Sequence, residues 1–267
     1  MSLVTISHEN CRKDGSCRAV CPLDLFTLDE EGFPDFREGA DTSCIACGHC
    51  VAVCPNDAVR HEMISHKDSP LIDYTMEVHP DALVQLLKCR RSIREFRQEP
   101  VPEETIKSLI DATRWAPTAV NRQPVRWLVV RNSSEMNRLA GLVVDWLRQA
   151  AEASRYSLFI DHWEQGRDMI LRGAPHLVVT FAQNDWKWSQ VDCTIALTNF
   201  EIAAVAHGIG TCWAGLLTSA VREHAPLRET LGIPDGHDVY GAMMFGLPKY
   251  KYRRIPQRHE ASITFCN

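Results

Sequence analysis

The chain has 267 residues, 45% of them hydrophobic and 24% charged, with a net charge of -5. This is an ordinary globular composition with room for two domains or one large one. The mildly acidic balance gives no reason to expect a nucleic acid or an anionic membrane as partner. The longest apolar candidate for a membrane span, around Ile195 to Ile209, is interrupted by Asn199, Glu201 and His207, so no span is expected. Met1 to Asn10 has neither the basic nor the apolar region of a secretion signal, and the expected location is cytoplasmic.

The front third is organised by cysteine. Of 11 Cys, seven lie between Cys11 and Cys54, a clustering that concentrates thiolates for metal in a reducing compartment. Cys44, Cys47, Cys50 and Cys54 followed by Pro55 make a C-x2-C-x2-C-x3-C-P run. Three closely spaced thiolates of such a run face one iron-sulfur cube, while the fourth serves the other cluster of a pair. A second copy stands 33 residues upstream (44 - 11), where Cys11, Gly15, Cys17, Ala19, Val20, Cys21 and Pro22 repeat the later residues and, among the cysteine positions, only Asp14 departs, at the place of Cys47. An internal repeat of this kind favours two clusters over zinc, which would want two paired C-x2-C arms. Asp14 leaves two readings open. It ligates iron, giving a 4Fe-4S cube with an oxygen ligand or a 3Fe-4S cluster, or it caps a turn beside Gly15.

Short strands are predicted at Leu3 to Ser7, Leu25 to Leu28 and Val59 to Met63, with a one-turn or two-turn helix after each third Cys of the motifs. Residues 1–65 taken together resemble a two-cluster bacterial ferredoxin module. Cross-ligation would then give cluster I Cys11, Cys17, Cys54 and the uncertain Asp14, and cluster II Cys44, Cys47, Cys50 and Cys21. Residues 66–79 are polar and weakly patterned and read as a linker. Cys89, Cys193, Cys212 and Cys266 read as plain buried small residues.

From Pro80 the pattern turns helical, with Leu83, Leu86 and Leu87 on one face. A second helix follows Pro102, with Glu103 and Glu104 at its positive end and Ile106, Leu109 and Ile110 as its stripe. Between them, Arg90, Arg91, Ser92 and Arg94 form a loop suited to phosphate, though a solvated basic loop is the commoner explanation of such a cluster. Strands are expected at Trp127 to Arg131, Leu177 to Ala182, Thr211 to Ala214 and Val239 to Leu247, and helices at Ser134 to Ala153, Trp188 to His207 and Ser219 to Leu231. The helix from Trp188 is apolar around much of its circumference and needs a large core or another subunit to cover it. The class is α+β, a central sheet flanked by helices.

Four stretches then fall into place together: Arg90 to Phe96, Ala116 to Pro124, Gly208 to Gly215 and Gly246 to Pro256. In this order, and spread over residues 80–267, they resemble the nitroreductase family, in the branch that carries a two-cluster ferredoxin module ahead of an FMN domain. The resemblance implies that Arg90, Arg91, Ser92, Arg94 and Arg254 hold the FMN phosphate. It also implies that Asn121 bonds the isoalloxazine edge and that Ala214 and Gly215 let backbone approach the ring, with Gln123 and Trp213 as second-line candidates. One departure is that the aromatic often found after Gln-Pro is displaced to Trp127.

No catalytic side chain is implied, because the flavin does the chemistry. No G-x-G-x-x-G follows a strand, so a separate nicotinamide site is not supported; NAD(P)H would take turns with the oxidant over the flavin. The expected activity is electron transfer from the clusters, or from NAD(P)H, through FMN to a small acceptor such as a nitroaromatic or quinone, with a ferredoxin-like donor and a homodimer. A non-catalytic electron carrier or redox sensor, and a changed reaction such as reductive dehalogenation or flavin fragmentation, stay open at this stage. Whether residues 145–172 form a lid is also open.

Overall fold

A computed structural model describes residues 2–150 and 153–266. The chain divides into two units, Met1–Glu77 with Ala119–Arg122, and Val78–Thr118 with Gln123–Asn267.

The first unit is built twice over. Its elements are β1 (Val4–Ile6), α1 (Ser16–Ala19), β2 (Phe26–Leu28), β3 (Pro34–Phe36), α2 (His49–Val53) and β4 (Val59–His61). β1 pairs antiparallel with β4, and β2 with β3. β2 and β4 stand 33 residues apart (59 - 26), the offset of the cysteine motifs. Gly15 and Gly48 precede α1 and α2 at φ 74 and 76, a left-handed turn that explains why glycine recurs in both copies. A small core of Val4, Phe26, Phe36, Val51 and Val59 closes the unit, with Phe26 edge-on to Phe36 at 5.5 Å between centroids. The three expected strands form. β3 was not foreseen because Pro34-Asp35-Phe36 is too short to show alternation, and its proline sits at the first strand position, where a missing N–H is tolerated. Beyond a 3-10 turn at His66–Asp68, residues 69–79 hold no helix or strand, and Leu71, Ile72, Tyr74, Met76 and Val78 are exposed there.

The second unit carries α3 (Pro80–Cys89), α4 (Glu103–Thr113), β5 (Arg126–Val130), α5 (Ser133–Gln149), α6 (Ser157–Glu164), β6 (His176–Gln183), α7 (Ser189–Ala206), β7 (Gly210–Trp213), α8 (Gly215–Glu223), α9 (Ala225–Thr230) and β8 (His237–Gly246). The four strands form one antiparallel sheet in the order β5-β6-β8-β7. Successive residues of the central strands face opposite cores. Leu177, Val179, Ala242 and Met244 join α5, α8 and α9 on one face. Val178, Met243 and Phe245 join α4 and α7 on the other. Both faces of the sheet are covered, so β6 and β8 read as continuous apolar runs.

Several expectations need correcting. The helix expected over Ser219 to Leu231 is two helices, with His224 as the break and Pro226 opening the second, since proline fits only the first turn. α6 was missed. With Phe159, Ile160 and Trp163 it lies against the core that contains α5, which is where the described part of 145–172 goes; Ala151 and Glu152 lie outside the described residues. Cys193 and Cys212 are buried as expected, whereas Cys89 and Cys266 are exposed.

One buried polar contact makes this unit sensitive to acid. His176 is 1% exposed and accepts the N–H of Val101 on Nε2 at 2.9 Å. Burial, and secondarily the charge of Arg131, lower its pKa from 6.5 to about 4. The unfolded chain takes up this proton below pH 6.5 and the folded one does not, so stability is full above that pH and is lost as pH falls toward 4. The loss is on the order of 3 kcal/mol, or roughly 6–12 °C in melting temperature for a unit of this size. All seven Trp lie between Trp115 and Trp213, so Trp fluorescence reports on this unit alone. The melting temperature of His176→Asn should fall less than that of the parent between pH 6.5 and 4. Identical slopes would show that His176 is not the sensor.

Candidate functional site

The seven front cysteines sort into two cavities. Cys21, Cys44, Cys47 and Cys50 line one, and Cys11, Asp14, Cys17 and Cys54 line the other. This is the crossed division that the fourth cysteine of each motif demands, with Cys21 delivered to the later motif's cavity and Cys54 to the earlier one's. The two crossing thiols are held alike, Cys21 Sγ accepting the N–H of Leu25 at 3.4 Å and Cys54 Sγ that of Ala58 at 3.2 Å. Burial pushes the Cys50 thiol up to about 11, and the neighbouring Cys47 and Cys44 push the same way. Burial likewise raises Cys17, with Cys11 and Cys54 adding to it. Crowded thiols that oppose one another's ionisation are relieved by bound cations. Among the described residues, no three His, Cys, Asp or Glu side chains are grouped closely enough for a lone metal ion. The thiols instead stand around the walls of the two cavities.

Asp14 lines the first-motif cavity, and its Oδ1 also accepts the N–H of Ser16 at 2.9 Å. It therefore caps the turn with one oxygen, and the other has no such bond. Asn121, expected at the isoalloxazine edge, has backbone carbonyls as partners. Its Nδ2 donates to the carbonyls of Ile45 (3.2 Å) and Ala46 (2.9 Å), inside the Cys44–Cys47 loop. Val120, Asn121 and Gln123 hold φ values of 47, 54 and 49, which is strained for the β-branched Val120.

In the second unit, the loop after α3 is stitched to the sheet. Ile93 N–H donates to Thr211 O and Arg97 N–H to Leu247 O, each at 2.8 Å, and Lys249 N–H donates to Glu95 O at 3.0 Å. Gly210 permits the approach, because a Cβ there would lie 2.5 Å from Ile93 Cγ1. The result is a cavity of about 600 Å³ whose lining includes Arg90, Arg91, Arg97, Lys249 and Lys251, a volume in the range of small-molecule sites. Arg90 also pairs with the buried Glu201 of α7 at 3.2 Å, and Glu201 takes a further bond from Thr211 Oγ1 at 3.3 Å. Arg94 folds back on Ser92 O at 3.4 Å, and Arg94 and Arg254 are exposed. Of the expected phosphate residues the cavity thus gathers Arg90 and Arg91, and it adds Arg97, Lys249 and Lys251. The signal for the two lysines is their place just after the Gly246-Leu247-Pro248 stretch.

β7 leads from Gly210 at this cavity to Ala214 and Gly215 at the start of α8, roughly 16 Å on at strand rise. No side chain caps α8, so its first N–H groups are available to an anionic or acceptor edge. A Cβ on Gly215 would meet nothing within 4 Å, which leaves room for a planar group. Cations at one end and open backbone donors at the other fit a molecule built like FMN, with a phosphate and a planar ring. Trp213 is 38% exposed beside them. Gln123 lies at a separate small cavity with Thr118 and Trp127. Trp127 itself packs on Phe200 beneath α7, at 6.0 Å between ring centroids, so the displaced aromatic does core work.

Comparison with known proteins agrees with this division. The nitroreductase family model matches residues 87–247, and a 4Fe-4S dicluster domain model matches residues 3–62. A protein of Archaeoglobus fulgidus, provisionally named NADH dehydrogenase/NAD(P)H nitroreductase, is 29% identical over 62% of this chain and 85% of its own. Two solved nitroreductases with bound FMN share the fold. That of Bacteroides fragilis has a TM-score of 0.60 at 21% identity, over 69% of this chain and 98% of its own. That of Desulfitobacterium hafniense has a TM-score of 0.59 at 23% identity, over the same shares. No helix among the described residues is long and apolar enough to cross a membrane. The chain belongs to the nitroreductase family, with a 4Fe-4S dicluster domain ahead of its α+β nitroreductase fold.

Proposed function

We propose that this chain is an FMN-dependent oxidoreductase that receives electrons through its iron-sulfur clusters, or from NAD(P)H, and delivers them to a small acceptor such as a nitroaromatic or quinone. The observation that carries the reading is the presence, in one chain, of a cavity lined by four thiols, a second lined by three thiols and a carboxylate, and a cation-lined cavity from which β7 runs to an uncapped helix start. When bound, the clusters supply one-electron carriers and FMN supplies the exchange between one-electron and two-electron chemistry.

The chain's own residues hold and orient these groups. Cys11, Cys17, Cys54 and the free oxygen of Asp14 would hold the first cluster, and Cys21, Cys44, Cys47 and Cys50 the second. Arg90 and Arg91, with Lys249 and Lys251, would neutralise the phosphate, with Ser92, Arg94 and Arg254 nearby in sequence. The N–H groups at Gly215 would face the ring, and no side chain is assigned as acid, base or nucleophile. A ferredoxin-like protein is the proposed donor and the cytoplasm the proposed location. α7 packs Cys193, Ala196, Leu197, Phe200 and Ala204 into the core but leaves Val191 exposed and Ile195, Ile202 and Val205 half-buried. α3 buries no residue. We propose that a second copy covers this surface in a homodimer.

Anaerobic purification followed by iron, sulfide and flavin counts should return about one FMN and seven or eight iron per chain, the lower figure if the cavity of Asp14 holds a 3Fe-4S cluster. The same sample should turn over a nitroaromatic. Zinc in place of iron, or a preparation without flavin, would end the reading. Both cofactors without turnover would leave a carrier in place of an enzyme.

A further inference from the structure

The internal repeat supplies its own control. Cys11 and Cys44 are equivalent across the offset of 33, as are Leu28 and His61, the last residues of β2 and β4. At Leu28 the side chain is 52% exposed and apolar. At His61 it is 6% exposed, lines the cavity of Cys21, Cys44, Cys47 and Cys50, and brings Nε2 to 3.7 Å from Cys44 Sγ. The backbone fixes which nitrogen carries the proton. Met63 N–H donates to Nδ1 at 3.1 Å, so in the neutral ring Nδ1 is the acceptor and Nε2 bears the hydrogen. The side chain is thus a neutral N–H donor aimed at a thiolate ligand of the second cluster, with no counterpart at the equivalent position of the first.

Resting on the two-cluster reading above, we infer that His61 raises the reduction potential of the Cys44 cluster and makes it the preferred resting place of an electron shared by the pair. Reduction adds one negative charge to the cluster, no proton moves, and the charge spreads onto the ligand sulfurs. A donor to one of those sulfurs therefore stabilises the reduced form more than the oxidised one. The repeat otherwise gives both clusters similar support, as the paired bonds to Cys21 and Cys54 show. His61 breaks that equality in favour of the later motif, and Asp14 breaks it again at the earlier one. His61 acts here as a positioning residue, through Cys44.

The test is a redox titration of the full-length protein followed by electron paramagnetic resonance, on the parent and on His61→Leu, which installs the residue of the equivalent position. In the variant the electron should partition about tenfold less in favour of the Cys44 cluster, a fall of 59 mV for a one-electron couple. Should the variant fail to hold iron, 15N-histidine labelling of His49→Gln, which leaves His61 as the histidine lining that cavity, decides. Imidazole nitrogen coupling to the reduced cluster is expected, and its absence would overturn the inference. So would His61→Leu with a full iron count and an unmoved potential. A parent that binds no iron would instead remove the two-cluster reading on which the inference rests.

Discussion

Arg90→Ala is expected to cost the second unit about 3 kcal/mol or more and to strip it of flavin. Arg90 and Glu201 expose only 25% and 9% of their side chains, so removing the guanidinium strands a buried carboxylate whose remaining partner is the Thr211 hydroxyl. Breaking a buried pair from one side costs about 3–5 kcal/mol, mostly because of the charge left behind. Glu201→Gln in the same chain removes that charge, so the double variant should recover most of the lost stability in a Trp-monitored melt. Flavin should not return with it. Losing one charge-assisted contact to phosphate weakens binding by about 1.5–3 kcal/mol, roughly ten- to a hundredfold. Recovery of both properties in the double variant would show that Arg90 serves only Glu201, with the phosphate held by Arg91, Lys249 and Lys251.

Cys50→Ser is expected to empty the cavity of Cys21, Cys44, Cys47 and Cys50 and to leave the other one filled. Cys50 is the most strongly perturbed of the front thiols, pushed up to about 11 by burial and by Cys47 and Cys44. A hydroxyl there is a far poorer iron ligand than thiolate. Iron should fall by about half, from seven or eight per chain to three or four. Because ligand thiols line both cavities around a small core, the first unit should also lose protection from proteolysis. Equal loss of iron from both cavities would show that they fill as one. Full retention of iron would show that Cys50 is not a ligand.

Much of this was legible in the sequence, for physical reasons that differ between the two units. Iron dictates residue type and spacing together, so the cysteine runs and their offset are plain in the sequence, and the resemblance to a two-cluster ferredoxin implies the crossed grouping. In the second unit, apolar periodicity located α4, α7 and β6, because each buries a face or a whole strand. What escaped were contacts made by single polar side chains across long separations. His61 sits 17 residues beyond Cys44, and only its alignment with Leu28 marks it. Glu201 interrupts the apolar stretch from Ile195, but its partner Arg90 lies 111 positions away. The bonds from the Asn121 amide to the carbonyls of Ile45 and Ala46 span 76 and 75 positions and have no local signal in the sequence. The break between α8 and α9 was visible at Pro226, yet continuous helical periodicity masked it.

The central claim is that electrons enter through the thiol-bound iron and leave through the flavin. Anaerobic stopped-flow of the full-length protein against a reduced low-potential iron-sulfur donor tests it most directly, with cluster and flavin absorbance followed in the same shot. The account predicts that cluster bleaching precedes flavin bleaching in the parent, and that flavin reduction by this donor slows at least a hundredfold in Cys50→Ser while flavin content is unchanged. Flavin bleaching that comes first, or proceeds at the parent rate in Cys50→Ser, would contradict it.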